Sequence, residues 1–208
     1  MQRMSEKAGG TAAAGRGINW VGHPEVSGSL VGASGGTVFV LVNRGGLPGA
    51  WPAIALAAWG VAALAYVWTT FVRVRLMPEL ARPATSAPVV YVLSVLGMVG
   101  LIVLGARVLE WVDLPEAQPS LVVTAVGLHF LPFARAFRAP VFRVLGVVLA
   151  VIGLLGVTGT VLLGPVAAAS AAVLAGLVIF AVMTTLAVLP PVPTPSTALR
   201  DAPSSLVT

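Results

Sequence analysis

The chain has 208 residues, of which 58% are hydrophobic and only 9% are charged, whereas soluble domains carry about 25% charged residues. This composition excludes an ordinary soluble domain, and the lack of cysteine excludes disulfides, thiolate nucleophiles and cysteine-held metal sites. The net charge is +5, but the twelve basic residues are dispersed over several segments. We therefore do not expect nucleic-acid binding, which needs a continuous basic face.

The chain opens with a polar tail, residues 1–25, in which MQRMSEKAGGTAAAGRG has no short apolar core of the signal-peptide kind. Apolar stretches of about 20 residues follow, which is the length that crosses a bilayer core of about 30 Å. We predict an all-α polytopic membrane protein, with a transmembrane domain over residues 26–189 built as a bundle of six helices. The predicted spans are 26–43, 51–71, 88–109, 120–137, 140–163 and 165–189.

The segment after the last predicted helix is rich in proline, with four prolines between positions 190 and 195. Proline has no backbone N–H and cannot continue a helix. The rest of the segment is polar. We therefore expect residues 190–208 to form a disordered C-terminal tail.

The number of lysine and arginine residues alternates between high and low in the successive segments that flank and separate the predicted helices. When an arginine near a helix end is counted with the adjoining segment, the segments hold 3, 1, 3, 1, 3, 0 and 1 basic residues from the N-terminus, so that ten lie on one side and two on the other. Cytoplasmic segments of membrane proteins are enriched in these residues. The pattern predicts a membrane protein with both termini in the cytoplasm, and it supports six spans because a missed helix would disturb the alternation.

Three glycines, Gly28, Gly32 and Gly36, recur at intervals of four along the first predicted helix. Small residues at this spacing allow a second helix to approach closely. The stripe predicts tight packing inside the bundle, with homo-oligomerisation through the same glycines as the alternative.

An acidic and aromatic stretch, RVLEWVDLPE, ends the third predicted helix on the side with few basic residues. Arg107, Glu110 and Trp111 share one helix face at i, i+3 and i+4, and Asp113 lies one turn beyond Leu109. One interpretation is a simple external loop with an interfacial tryptophan. The other is a site where Glu110 or Asp113 donates a proton, Trp111 stabilises a cation and Arg107 is the electrostatic partner. Asn43 ends the first helix at the same level and could join it.

His129 lies near the middle of the fourth predicted helix, three residues before Pro132. An ionisable side chain inside a span is a candidate functional residue. It could relay protons, bind a ligand or form a gate, or it could be a neutral structural histidine bonded to a neighbouring helix. We expect no metal site, because His23 is the only other histidine and lies in the N-terminal tail.

The segment GLHFLPFARAF, residues 127–137, resembles part of small six-helix integral membrane proteins of Gram-positive bacteria, and GASGGTVFVLVNRGGLP in the first helix fits the same impression. In size and in its acidic and aromatic stretch the chain also resembles bacterial membrane-bound terpenoid cyclases, which act on prenylated indoles or related meroterpenoids. That resemblance implies a cyclisation started by a proton, with Glu110 and Asp113 catalytic and no cofactor. We also expect Trp111, Arg107, His129 and Asn43 to contact a lipophilic substrate, and the resemblance to bacterial proteins implies a location in the bacterial plasma membrane.

Three functional hypotheses follow. The first is a membrane-embedded enzyme that cyclises an isoprenoid substrate. The second is a small proton-coupled transporter that uses His129. The third is a non-catalytic membrane partner protein that packs through its glycines. In each case we expect contact with membrane lipids.

Overall fold

A computed structural model describes residues 15–16, 24–75, 85–137 and 140–188. It confirms the all-α prediction and contains the six expected helices. The polar N-terminal tail lies mostly outside the described residues, and the C-terminal segment 190–208 lies wholly outside them. The helices are α1 Pro24–Asn43, α2 Trp51–Val67, α3 Ala87–Trp111, α4 Gln118–Ala136, α5 Pro140–Leu163 and α6 Pro165–Val188.

Proline and glycine set several of the helix ends. Pro140 and Pro165 are the first residues of α5 and α6, where the missing N–H has no helical partner to lose. Between these helices, Gly164 has φ +78° and its N–H bonds to the carbonyl of Thr160 at 2.9 Å. The left-handed conformation of Gly164 terminates α5. Glycine suits this position because a side chain there would be strained.

Short elements connect the helices. A π-helical turn, Trp68–Val72, continues α2, and 3-10 turns precede α2 and α4 at Arg44–Gly46 and Pro115–Ala117. The two-residue strands β1, Gly15–Arg16, and β2, Val74–Arg75, pair in an antiparallel ladder. The ladder joins the N-terminal segment to the chain that leaves α2.

Five of the helices are long and apolar enough to cross a membrane: α2 with its π turn, α3, α4 with the preceding 3-10 turn, α5 and α6. The remaining helix, α1, has 20 residues, about 30 Å at 1.5 Å per residue. These lengths confirm a multi-pass helical membrane protein. The side on which the termini lie stays a prediction.

Helix α6 is the centre of the bundle and α3 is at its edge. α6 packs against α1, α2, α4 and α5, whereas α3 packs chiefly against α4. In the most apolar stretch of 18 residues of each helix, 56% of the residues of α6 are buried, whereas none of the residues of α3 are. Alanine and glycine in α6 allow the close approaches, because they leave the neighbouring backbones room. The buried residues of α6 are Ala168, Ala169, Ala171, Ala172, Val173, Ala175, Gly176, Ile179, Phe180, Met183 and Ala187.

Candidate functional site

The glycine stripe of α1 faces the interior at two of its three positions. A Cβ atom built on Gly36 would lie 2.9 Å from the carbonyl oxygen of Gly176 and 3.3 Å from the ring of Phe180. A Cβ on Gly32 would lie 3.1 Å from the methyl carbon of Met183. A Cβ on Gly28 would meet no atom within 4 Å. The stripe therefore holds α1 against α6 through Gly32 and Gly36, and Gly28 is uncovered.

The closest helix pair, α4 with α5, depends on glycines that the sequence analysis did not single out. A Cβ on Gly127 of α4 would overlap the backbone N of Ala150 and lie 2.8 Å from the carbonyl oxygen of Gly146. A Cβ on Gly153 would lie 2.7 Å from the carbonyl oxygen of Ser120. The interval of seven between Gly146 and Gly153 is the signal that could have revealed this seam, because two helix turns return a residue to the same face.

Hydroxyl and indole groups join α1 to α2. The Ser29 and Tyr66 hydroxyls are 2.9 Å apart, and the indole N–H of Trp59 donates to the Thr37 hydroxyl at 3.2 Å. Such interhelical bonds average about 0.6 kcal/mol in a membrane protein. Trp59, which lies deep in α2, is therefore a packing residue of this helix pair.

Helix α3 is fastened to α4 at three points. The Tyr91 and Phe133 rings are stacked with centroids 5.6 Å apart, and the Ser94 hydroxyl donates to the carbonyl oxygen of His129 at 2.7 Å. A Cβ on Gly105 would lie 2.8 Å from the methyl groups of Leu121. All three points lie on one side of α3, and no described helix packs against its opposite side.

The imidazole of His129 is half-buried beside these contacts. Its Nδ1 lies 2.6 Å from the carbonyl oxygen of Val126, one turn earlier in α4, so the carbonyl accepts a hydrogen bond from the ring. The ring also contacts Phe130 and Phe133, with centroids 4.3 and 5.1 Å away. All of these ring contacts are within α4, whereas the structural interpretation expected a bond to a neighbouring helix, and the role of His129 stays a prediction. Pro132 lies within α4, which continues to Ala136.

The acidic and aromatic stretch lies on the outer surface of α3. An Arg107 guanidinium nitrogen is 3.0 Å from a Glu110 carboxylate oxygen, and the two side chains are 77% and 58% exposed. Trp111 is 85% exposed. The predicted i, i+3 pair therefore forms, but it faces away from the bundle.

Asp113 terminates α3, a structural role that was not predicted from the sequence. Its φ is +54°, in the left-handed region that aspartate tolerates better than most residues. The N–H of Leu114 donates to the carbonyl of Leu109 at 2.8 Å, and the N–H of Asp113 donates to that of Glu110 at 3.3 Å. This is the Schellman pattern of hydrogen bonds that satisfies the last carbonyls of a helix, and it terminates α3. The Asp113 side chain is exposed.

The structure does not gather the predicted site residues into one cluster. The amide N–H of Asn43 donates to the carbonyl of Phe39 in its own helix at 2.9 Å. The contacts of His129 are with Ser94, Val126, Phe130 and Phe133, none of which belongs to the acidic stretch. Arg107, Glu110, Trp111 and Asp113 are neighbours in sequence at the end of α3, and they share its outer surface.

A shallow depression of about 330 Å³ lies at the other end of α3. Its lining is wholly apolar, so it offers no group that could donate or accept a proton. The lining residues are Pro88, Val89, Val92 and Leu93.

No known protein family, curated protein or solved structure matches the chain. The resemblances to small membrane proteins of Gram-positive bacteria and to terpenoid cyclases therefore stay predictions.

Proposed function

We propose that the chain is a membrane partner protein, whose function is to bind a second transmembrane helix through the outward face of α1. The observation that carries the proposal is the position of two glycines. A Cβ built on Gly28 or Gly35 would meet no atom of the described residues within 4 Å, so that neither glycine packs against a described helix of the same copy.

A glycine costs about 1 kcal/mol relative to alanine in a helix interior. Inward glycines such as Gly36 offset this cost by allowing close approach. Gly28 and Gly35 have no such neighbour, and a surface that faces only lipid gains nothing from them. Close packing of a second helix against Gly28 and Gly35 would offset their cost in helix stability.

The spacing of the exposed residues supports the same conclusion. Gly28 and Gly35 are seven residues apart. Each is followed three residues later by an exposed valine: Val31 is 75% exposed and Val38 is 59% exposed. A repeat of seven on one face is typical of helices that pair with a left-handed crossing. We name Gly28, Val31, Gly35 and Val38 the outer seam of α1. Because the seam is complementary to itself, we take a second copy of the chain as the partner.

The uncovered side of α3 supports the proposal in a second place. A Cβ on Gly97 or Gly100 would also meet no atom within 4 Å. Leu96 and Leu104 on the same helix are 62% and 68% exposed. This side offers a further apolar surface to a membrane partner.

The described residues favour a partner protein over an enzyme. A carboxyl that protonates an alkene has to face an enclosed apolar cavity, whereas Glu110 and Asp113 are exposed. The cyclase and transporter hypotheses stay predictions, and the double exchange Glu110→Gln with Asp113→Asn tests the cyclase hypothesis.

Association in bilayers tests the proposed function. In resonance energy transfer between labelled copies in vesicles, we expect the wild-type chain to associate and Gly35→Ile to reduce association at least tenfold. The matched control is Val147→Ile, which adds bulk to the exposed face of α5 and should change nothing. A wild-type chain that stays monomeric at all protein-to-lipid ratios would refute the proposal.

A further inference from the structure

We propose that the arginine-rich end of the bundle binds the headgroups of acidic phospholipids. This end is the one at which α2 and α4 finish and α3 and α5 begin, and its described cations include Arg73, Arg135 and Arg143. The proposal concerns residues other than the outer seam of α1 and does not depend on self-association.

The first observation is that these three cations have no ion-pair partner among the residues that the structure describes. Arg73 follows the π turn of α2, Arg135 lies in the last turn of α4 and Arg143 lies in the first turn of α5. All three are exposed. None of them forms an ion pair with a residue that the structure describes. Their charge is therefore available to an external anion.

The second observation is that the backbone brings further arginines to the same end. In the two-residue ladder Arg16 pairs with Val74, and Gly15 pairs with Arg75. Arg16 is thus placed opposite Val74, the residue between Arg73 and Arg75. The ladder therefore adds Arg16 and Arg75 to the arginines at this end of the bundle.

The opposite end of the bundle provides the contrast. There Arg107 is bonded to Glu110 at 3.0 Å, and Asp113 and Glu116 lie close by in sequence. The other cation at that end is Arg44, so that two arginines there accompany the three carboxyl groups of Glu110, Asp113 and Glu116. The two ends therefore differ in their balance of charge, and only the arginine-rich end has an excess of cations.

The position of these arginines selects the anion. They stand at the ends of helices that are long enough to cross a bilayer, which places them at the level of the lipid phosphates. An acidic lipid supplies both a phosphate and a net negative charge at that level. Each Lys or Arg near such a surface contributes about 1 kcal/mol to the binding free energy, which corresponds to about a fivefold increase in affinity.

The experiment uses the full-length chain in nanodiscs that contain equal amounts of phosphatidylglycerol and phosphatidylcholine, with the protein-bound lipid quantified by native mass spectrometry. We expect phosphatidylglycerol to be enriched on the wild-type chain. The double variant Arg135→Gln with Arg143→Gln should lower the enrichment about 25-fold, from about fivefold for each arginine. Arg107→Gln is the matched control and should leave it unchanged.

Two further measurements separate the alternatives. Arg73→Gln lies outside the regular helices and should lower the enrichment about fivefold, which keeps the test valid if the double variant unfolds. Added inorganic phosphate, at the concentration of the lipid phosphate, should not displace the lipid. The proposal would be overturned if the double variant and Arg73→Gln both kept the enrichment of the wild-type chain. An equal loss of enrichment in Arg107→Gln, or displacement of the lipid by free phosphate, would also overturn it.

Discussion

Replacing Gly36 by valine tests the packing of α1 against α6, on which the centre of the bundle depends. The new Cβ would lie 2.9 Å from the carbonyl oxygen of Gly176 and 3.3 Å from the Phe180 ring. The ring can rotate, but the carbonyl belongs to the α6 backbone and moves only if the two helices separate. Overpacking of this kind costs about 1–3 kcal/mol.

The intrinsic helix preference of valine over glycine, a few tenths of a kcal/mol, offsets little of this cost. We therefore expect Gly36→Val to lower the free energy of unfolding by about 2 kcal/mol. The measurement is reversible unfolding of the monomer in mixed micelles with increasing denaturing detergent, followed by the fluorescence of the five tryptophans.

The control is the residue next to it. Gly35→Val makes the same chemical change in the same turn of α1, but its Cβ meets no atom within 4 Å. We expect its unfolding free energy to stay within about 0.5 kcal/mol of the wild-type value, as for other surface substitutions. If both variants were equally stable, or if Gly35→Val were the more damaged, the assignment of the α1 faces would be refuted.

Four further predictions follow from the structure. Gly127→Ala should be more damaging than Gly36→Ala in the same unfolding assay, because its Cβ would overlap the α5 backbone. Tyr66→Phe should cost at least about 0.6 kcal/mol, the average for an interhelical hydrogen bond, because it removes the bond to Ser29, and an unchanged unfolding free energy would contradict this contact between α1 and α2. Asp113→Gly should raise the unfolding temperature by a few degrees, because glycine adopts the left-handed conformation of the α3 terminus without strain. The double exchange Glu110→Gln with Asp113→Asn should leave stability within about 1 kcal/mol, since the ion pair it removes is exposed; loss of turnover of an isoprenoid substrate in this variant would support the cyclase hypothesis instead.

The side of the membrane on which the termini lie has its own test. Ten of the twelve basic residues fall on the predicted cytoplasmic side, and the positive-inside rule places both termini there. Alkaline phosphatase, which folds only outside the cytoplasm, should be inactive when fused after α6 and active when fused after α3. The reverse pattern would contradict the predicted orientation.

The helices could be predicted from the sequence because length, apolarity and proline at helix starts act locally. The predicted bounds of the third helix, 88–109, differ from Ala87–Trp111 by one residue at the start and two at the end. The helix continues past Leu109 because the left-handed residue that terminates it is Asp113. The π turn after Val67 was not predicted, since no local pattern in WTTFV distinguishes it from a regular helix.

The arrangement of the helices could not be predicted to the same extent. All of the long helices are apolar, so the pattern of hydrophobicity does not say which face meets a neighbour and which meets lipid. The spacing of Arg107 and Glu110 predicted their contact, which depends only on α3. Whether that contact faces the bundle depends on how α3 packs on α4, through Tyr91 and Ser94, which are distant in sequence from the acidic stretch.

The central claim is that a second helix occupies the outer seam of α1, and a cysteine cross-link tests it most directly. The chain has no cysteine, so that single cysteines report on one position each. In native membranes treated with an oxidant, Val38→Cys should form a disulfide-linked dimer, whereas Val147→Cys, which is exposed on α5, should remain monomeric. Equal cross-linking at the two positions, or none at Val38→Cys, would contradict the proposed function.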